Sequence, residues 1–136
     1  MQSSFKPFDF ELRVYWEDTD AGGIVFYANY LKFFERARTE WLRSFGFGQQ
    51  RLRDETGLIF VVASTSVRYL QSAKLDDQLR ITVEPREVGR ASMTIFQRAF
   101  RGDELLTEGE IRIGCVEAHT LKSSRIPPAI LSAIPQ

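Results

Sequence analysis

Two aspartates, Asp18 and Asp20, precede a glycine pair, Gly22 and Gly23, and a helical pattern that begins near Ala28. A carboxylate can serve as a general base or as a nucleophile. The first N–H groups of a helix have no partner within it and can hold a developing oxyanion. The two together suit hydrolysis of an activated carbonyl. On composition alone, an Asp ahead of glycines caps a helix or tightens a turn more often than it does chemistry. A calcium loop is excluded. Counting from Asp18, the fifth position is Gly22 and the twelfth is Asn29, where such a loop needs a bidentate Glu. The single His119 and single Cys115 exclude a His-rich zinc site and an internal disulfide. No metal and no cofactor is expected.

These residues need a scaffold, and its elements can be read from periodicity. Residues 8–16 alternate loosely and predict a first strand, with Leu12 and Val14 on one face. From Tyr30 the apolar positions Tyr30, Phe34, Ala37, Trp41 and Phe45 fall three or four apart, and Leu31, Phe33 and Leu42 widen the stripe. This predicts a helix of about five turns, ending at Gly46, a natural left-handed stop. A short helix over 49–55 ends at Gly57. Strands follow over 59–70, 79–83, 91–100 and 111–115, with turns at 76–77 and 101–103, and a helical turn over 129–133 closes the chain. The order is strand, long helix, four strands. It predicts an α+β fold in which five antiparallel strands curve around one helix. Such a sheet has edges that need cover, so a homo-oligomer is expected.

Composition narrows the function classes. A chain of 136 residues fits one domain, here 1–136. Its 43% hydrophobic and 26% charged residues are those of a soluble globular protein. Lys+Arg and Asp+Glu balance at 18 each, which argues against nucleic acid as a partner. The first eleven residues lack the pattern of a signal peptide, and no apolar run approaches the roughly 18 residues of a membrane span. The expected compartment is the cytoplasm.

The stretch YWEDTDAGGIVFYANY at residues 15–30 resembles the active-site loop of the hotdog-fold acyl-CoA thioesterases of the 4-hydroxybenzoyl-CoA thioesterase family. FERARTEWLR at 34–43, FVV at 60–62 and LDD at 75–77 resemble most closely its Tol-Pal-associated branch. The resemblance holds register from the loop through the helix and implies a hotdog fold. It implies that Asp20 is the catalytic carboxylate, attacking the thioester or activating water. The amide near Tyr27 would polarise the thioester oxygen. It also implies an active site formed between subunits of a dimer, often a dimer of dimers, with no metal. The chain has Tyr27 where the Tol-Pal branch often has His and the hydroxybenzoyl branch has Tyr. It has Ser72 where the branch tends to carry Pro, a change expected to alter a turn rather than the chemistry.

Beside this frame, Asp18 reads as a structural residue orienting the loop, and Asn29 as a helix cap. Missing side chains at Gly22 and Gly23 would let a thioester approach the backbone closely. Coenzyme A carries phosphates, so local cations are needed. Arg90 with Ser92 after Gly89 is the preferred site, ahead of Lys122 and Arg125. Tyr30, Phe33, Phe34 and Trp41 read as core, Glu35 and Arg38 as a solvated i,i+3 pair, His119 as an exposed loop residue, and Cys115 as an inert core thiol. The resulting expectation is hydrolysis of a short-chain or aromatic acyl-CoA, or of an acyl carrier protein thioester. The rivals are a hotdog dehydratase, for which His119 is the one candidate imidazole, and a non-catalytic acyl-CoA or protein-binding module.

Overall fold

The computed structural model describes residues 8–135. Residues 1–7, on which part of the signal-peptide reading rests, lie outside them. Strand β1 (Phe8–Arg13) is followed by helices α1 (Asn29–Ser44) and α2 (Gln49–Thr56). Strands β2 (Leu58–Tyr69), β3 (Gln78–Val88), β4 (Ser92–Arg101) and β5 (Glu104–Glu117) come next, then a short helix α3 (Pro128–Ala133). The strands form one antiparallel sheet in the order β1-β3-β4-β5-β2. The α+β architecture expected from the order of elements is present, and it is the hotdog fold.

Helix α1 lies against the inner face of the sheet. Tyr30, Phe33, Phe34, Ala37, Trp41 and Leu42 are buried on one side of it, against Leu79, Ile81, Ile95 and Ile111 of the strands. Each such large apolar side chain contributes about 1.5–3 kcal/mol on burial. The helix comes close at Gly109 in β5, where a Cβ would sit 3.0 Å from the Phe34 ring. Gly109 is thus the gap through which Phe34 reaches the sheet. Gly46, at φ +93°, ends the helix as its left-handed residue. Among the described residues no helix is long and apolar enough to cross a membrane.

Three expectations need correction. The first strand stops at Arg13 rather than Trp16, because residues 16–18 turn into a short 3-10 segment that leaves Tyr15 and Trp16 exposed. Strand β5 starts at Glu104 rather than Ile111; Gly109, required by Phe34, interrupts the apolar alternation that marks the rest. Glu35 and Arg38 are not a solvated pair. The Glu35 carboxylate accepts from the Thr39 hydroxyl, while Arg38 turns inward and donates to Gln97 Oε1 at 2.9 Å. Burial lowers the Arg38 pKa, with Glu35 opposing the shift. Gln97, itself fully buried, donates onward to the carbonyls of Phe34 and Thr82.

Candidate active site

The acidic loop is a small antiparallel hairpin between β1 and α1. Thr19 bridges Val25, the Asp20 N–H donates to the Ile24 carbonyl at 2.9 Å, and the Phe26 N–H donates to the Asp18 carbonyl at 3.0 Å. The turn closes where the Gly23 N–H donates to the Asp20 carbonyl at 3.0 Å. Gly23 sits at φ +82°, a conformation that glycine adopts without a Cβ penalty. The returning strand is anchored by the Val25 N–H, which donates to the Ala73 carbonyl at 2.9 Å, and by an Ile24–Lys74 bridge. The segment 70–77 thus forms the floor beneath the loop.

Asp20 is exposed at the tip of this hairpin. Its Oδ1 accepts the Gly22 N–H at 2.8 Å, and among the described residues Oδ2 has no partner. A Cβ at Gly22 would stand 3.2 Å from that same Oδ1, so the bare glycine leaves the carboxylate room. Asp18 is its opposite: 4% exposed, it accepts the Tyr15 N–H on Oδ2 and the Asn29 side-chain amide on Oδ1, both at 2.8 Å. The structural reading of Asp18 holds. Asn29 is not the helix cap, which is Ala28; its side chain reaches back to Asp18 from the first helical residue.

Tyr27 stands two residues before the helix and is exposed. Among the described residues no acceptor is paired with the N–H of Tyr27 or of Ala28. Both amides lie at the positive end of the α1 dipole. The Tyr27 ring meets Tyr69 edge-on at 5.9 Å, and Tyr69 in turn lies 5.8 Å from Tyr30, whose hydroxyl accepts the Ala73 N–H at 3.1 Å. Burial, with the neighbouring phenols of Tyr27 and Tyr30, pushes the Tyr69 pKa up. Tyr69 was missed in the sequence because it ends a distant strand and carries no local signature. Register with Thr107 of β5 puts it beside the site.

Arg90 and Ser92 are not brought to Asp20 within one chain. Arg90 lies in the β3–β4 connection and Ser92 opens β4, at the end of the strands opposite the one where β1 leads into the hairpin. Ser92 Oγ accepts from Arg112 at 3.1 Å, which adds a third polar group and a second cation there. Arg112 also escaped the sequence reading, because it comes from β5, 20 residues further on. His119 is exposed in the turn after β5, at this same far end. Cys115 is fully buried, and burial raises its thiol pKa, as an inert core thiol requires.

Comparison with known proteins agrees with this fold. The family model of the thioesterase-like superfamily matches residues 14–134. The acyl-CoA thioesterase YbgC of Haemophilus influenzae is 44% identical over 126 residues, 93% of each chain. The acyl-CoA thioester hydrolase YbgC of Escherichia coli is 41% identical over 95% of this chain and 96% of that protein. A crystal structure of a probable thioesterase from Bartonella henselae superposes with a TM-score of 0.85 at 32% identity, covering 90% of this chain and all of that one. The chain belongs to the thioesterase-like superfamily.

Proposed function

We propose that this member of the superfamily is an acyl-CoA thioesterase, releasing a short-chain or aromatic carboxylic acid and free CoA. The observation that carries the reading is the hairpin tip. Among the described residues it presents one carboxylate oxygen of Asp20 without a partner, on the same hairpin that leads to the unpaired amides of Tyr27 and Ala28. Asp20 takes the proton of an attacking water, or attacks the thioester carbon itself to give an anhydride that water then opens. In either route the carbonyl oxygen gains negative charge, which the Tyr27 amide receives. An oxyanion donor of this kind is worth roughly 10²–10³ in rate. The C–S bond breaks and the CoA sulfur leaves as thiolate, to be protonated to the thiol. Gly22 and Gly23 leave the turn bare, so the thioester can reach the backbone.

The same reading asks for a second copy of the chain. Strand β2 is an edge, paired on one side only, and Val62, Tyr69 and Leu70 are exposed along it beside Phe26 and Tyr27. Two such edges pairing about a twofold axis run antiparallel, which sets the Leu58 end of one strand against the Tyr69 end of the other. Arg90, Ser92 and Arg112 of one copy then approach the Asp20 hairpin of its neighbour, and they are assigned to the phosphates of CoA. Pairing of dimers into a tetramer extends the same proposal.

Free-thiol release from a panel of short-chain, long-chain and aromatic acyl-CoA substrates, and from acyl carrier protein thioesters, tests the reaction. Release by the wild type and not by Asp20→Asn supports it, with activity surviving a chelator. Absence of release from every substrate would remove it. Light scattering tests the assembly; a fully active sample with the 15.7 kDa mass of one chain would refute the shared site.

A further inference from the structure

Asp18 is buried in a loop where its acidic neighbours Glu17 and Asp20 are exposed. Four hydrogen bonds use it. Its N–H donates to the Tyr15 carbonyl at 3.0 Å, its carbonyl accepts the Phe26 N–H at 3.0 Å, and its two carboxylate oxygens take the Tyr15 N–H and the Asn29 amide. The arrangement of the last three matters more than their number. Asp18 grips residue 26 through its backbone and residue 29 through its side chain. Between those two points lie only Tyr27 and Ala28, whose N–H groups have no acceptor among the described residues. Asn29 is itself 6% exposed, so the bond to Asp18 is shielded from water and from competing partners.

We infer that Asp18 and Asn29 are positioning residues for the oxyanion, fixing the Tyr27 and Ala28 amides from both sides. The inference rests on the thioesterase reading for its catalytic consequence, and on hydrogen-bond geometry for the clamp itself. A simple fold-stabilising role would be met by any satisfied buried pair. A clamp that spans two free donors instead sets their direction, and misplacement of a reacting group by about 1 Å can cost on the order of 10² in rate. Asp18 does not touch substrate; it acts through the backbone it holds.

The bond can be broken and rebuilt without changing its size. Asn29→Asp places a second carboxylate against Asp18, with no donor between them. Adding Asp18→Asn restores a donor and an acceptor in the reverse sense, because an Asn at 18 can still accept the Tyr15 N–H while donating to the new carboxylate. Asp18→Asn alone is expected to be mild, since an amide flip of Asn29 recovers the bond. Asn29→Asp should lower kcat for acyl-CoA hydrolysis by roughly 10–100-fold with KM changed little. Adding Asp18→Asn should recover most of it. In ¹H–¹⁵N spectra the Tyr27 and Ala28 amide signals should move in Asn29→Asp and return in the double variant. Should Asn29→Asp fail to fold, Asn29→Ala gives the same two readouts for the broken bond. Unmoved amides, an unchanged kcat in the broken variant, or a folded double variant without recovery would each overturn the inference. If the wild type hydrolyses no acyl-CoA, the proposed function fails by that result alone, and the amide signals decide the clamp.

Discussion

The two ends of the sheet are built differently. At the end where β1 leads out, a hairpin, a buried carboxylate and the segment 70–77 are bound together by hydrogen bonds of 2.8 to 3.0 Å, most of them to backbone. At the far end the backbone is bound as closely, with the Ile126 N–H donating to the Arg90 carbonyl at 2.7 Å and the Gly89 N–H to the Ser92 carbonyl at 2.8 Å. Arg90 is exposed, however, and among the described residues the side chains of the proposed phosphate ligands are linked only by Arg112 to Ser92 at 3.1 Å. In the proposed reaction it is the first end that holds the reacting carbonyl. The second, in the same proposal, meets the phosphates of the CoA part of the substrate. Damage to the first should therefore appear in kcat, and damage to the second in KM.

The sharpest break of that contrast is Asp20→Asn. It keeps size and polarity but removes the proposed base or nucleophile, so kcat should fall by roughly 10²–10⁴ while the fold persists. A kcat near wild type would take Asp20 out of the mechanism and with it the distinction between the ends. The glycines divide the same end further. Gly22→Ala puts a Cβ where Asp20 Oδ1 lies 3.2 Å away, so the carboxylate must yield by a few tenths of an ångström. A kcat loss of about 3–10-fold with little change in stability is expected, well short of the ~10² set by a full ångström. Gly23→Ala strains the turn at φ +82° instead and should lower stability by about 1–2 kcal/mol. Urea denaturation beside steady-state kinetics on the pair separates the two effects; equal outcomes would erase the separate roles.

At the far end the effects should be smaller. Arg90→Ala or Arg112→Ala removes an exposed cation, worth about 0.2–1 kcal/mol against a phosphate, so KM should rise by about 2–5-fold with kcat unchanged. The matching control is the same assay on a truncated acyl-pantetheine thioester, which lacks the nucleotide phosphates. Sensitivity to Arg90 or Arg112 should vanish there. If it remains, these residues serve the fold and not the CoA phosphates.

This contrast also explains what could be read from the residues alone. The long helix and the acidic loop ahead of it are sequence-local: the apolar stripe from Tyr30 to Trp41 announces its own buried face, and the carboxylates and glycines mark the loop, though not its hairpin pairing or its anchorage to the segment 70–77. Asp18 as a structural carboxylate was legible for the same reason. What stayed hidden depends on register between distant strands. Tyr69 reaches Tyr27 only because β2 pairs with β5 and ends there; Arg112 reaches Ser92 across two strands. Gln97, a polar residue in an apolar strand, becomes intelligible once Arg38 is seen to turn inward from the helix. The bulges at 62–64 and 85–87, which help a sheet to curl, likewise carry no signature in composition.

The smallest expected effect tests whether the floor of the site is separable from its chemistry. Asp77 Oδ2 accepts the Lys74 N–H at 2.8 Å and a guanidinium N–H of Arg101 at 2.7 Å, and Arg101 also bonds Glu104. These contacts tie the segment that holds Val25, through the Ala73 carbonyl, to the β4–β5 turn. Burial opposes ionisation of Asp77, but the Lys74 amide and Arg101 outweigh it and hold its pKa below the ordinary value. Asp77→Asn keeps an acceptor for Lys74 and loses the ion pair. With side chains 18% and 29% exposed, the pair is partly screened, and its loss should cost about 0.5–1 kcal/mol. The sign of the pH dependence follows. A depressed folded pKa contributes stability that is complete above the unfolded value of about 3.9 and lost as pH falls through the folded one. The gap between wild type and Asp77→Asn in urea denaturation should hold from neutral pH down to about 5 and shrink in stronger acid. Activity per folded molecule at neutral pH should change by less than about twofold, because no group proposed to hold the carbonyl has moved. A gap that widens in acid would refute the assigned ion pair. A large kcat loss in a fully folded variant would show that floor and hairpin move as one, and the line between support and chemistry would have to be drawn beyond Asp77.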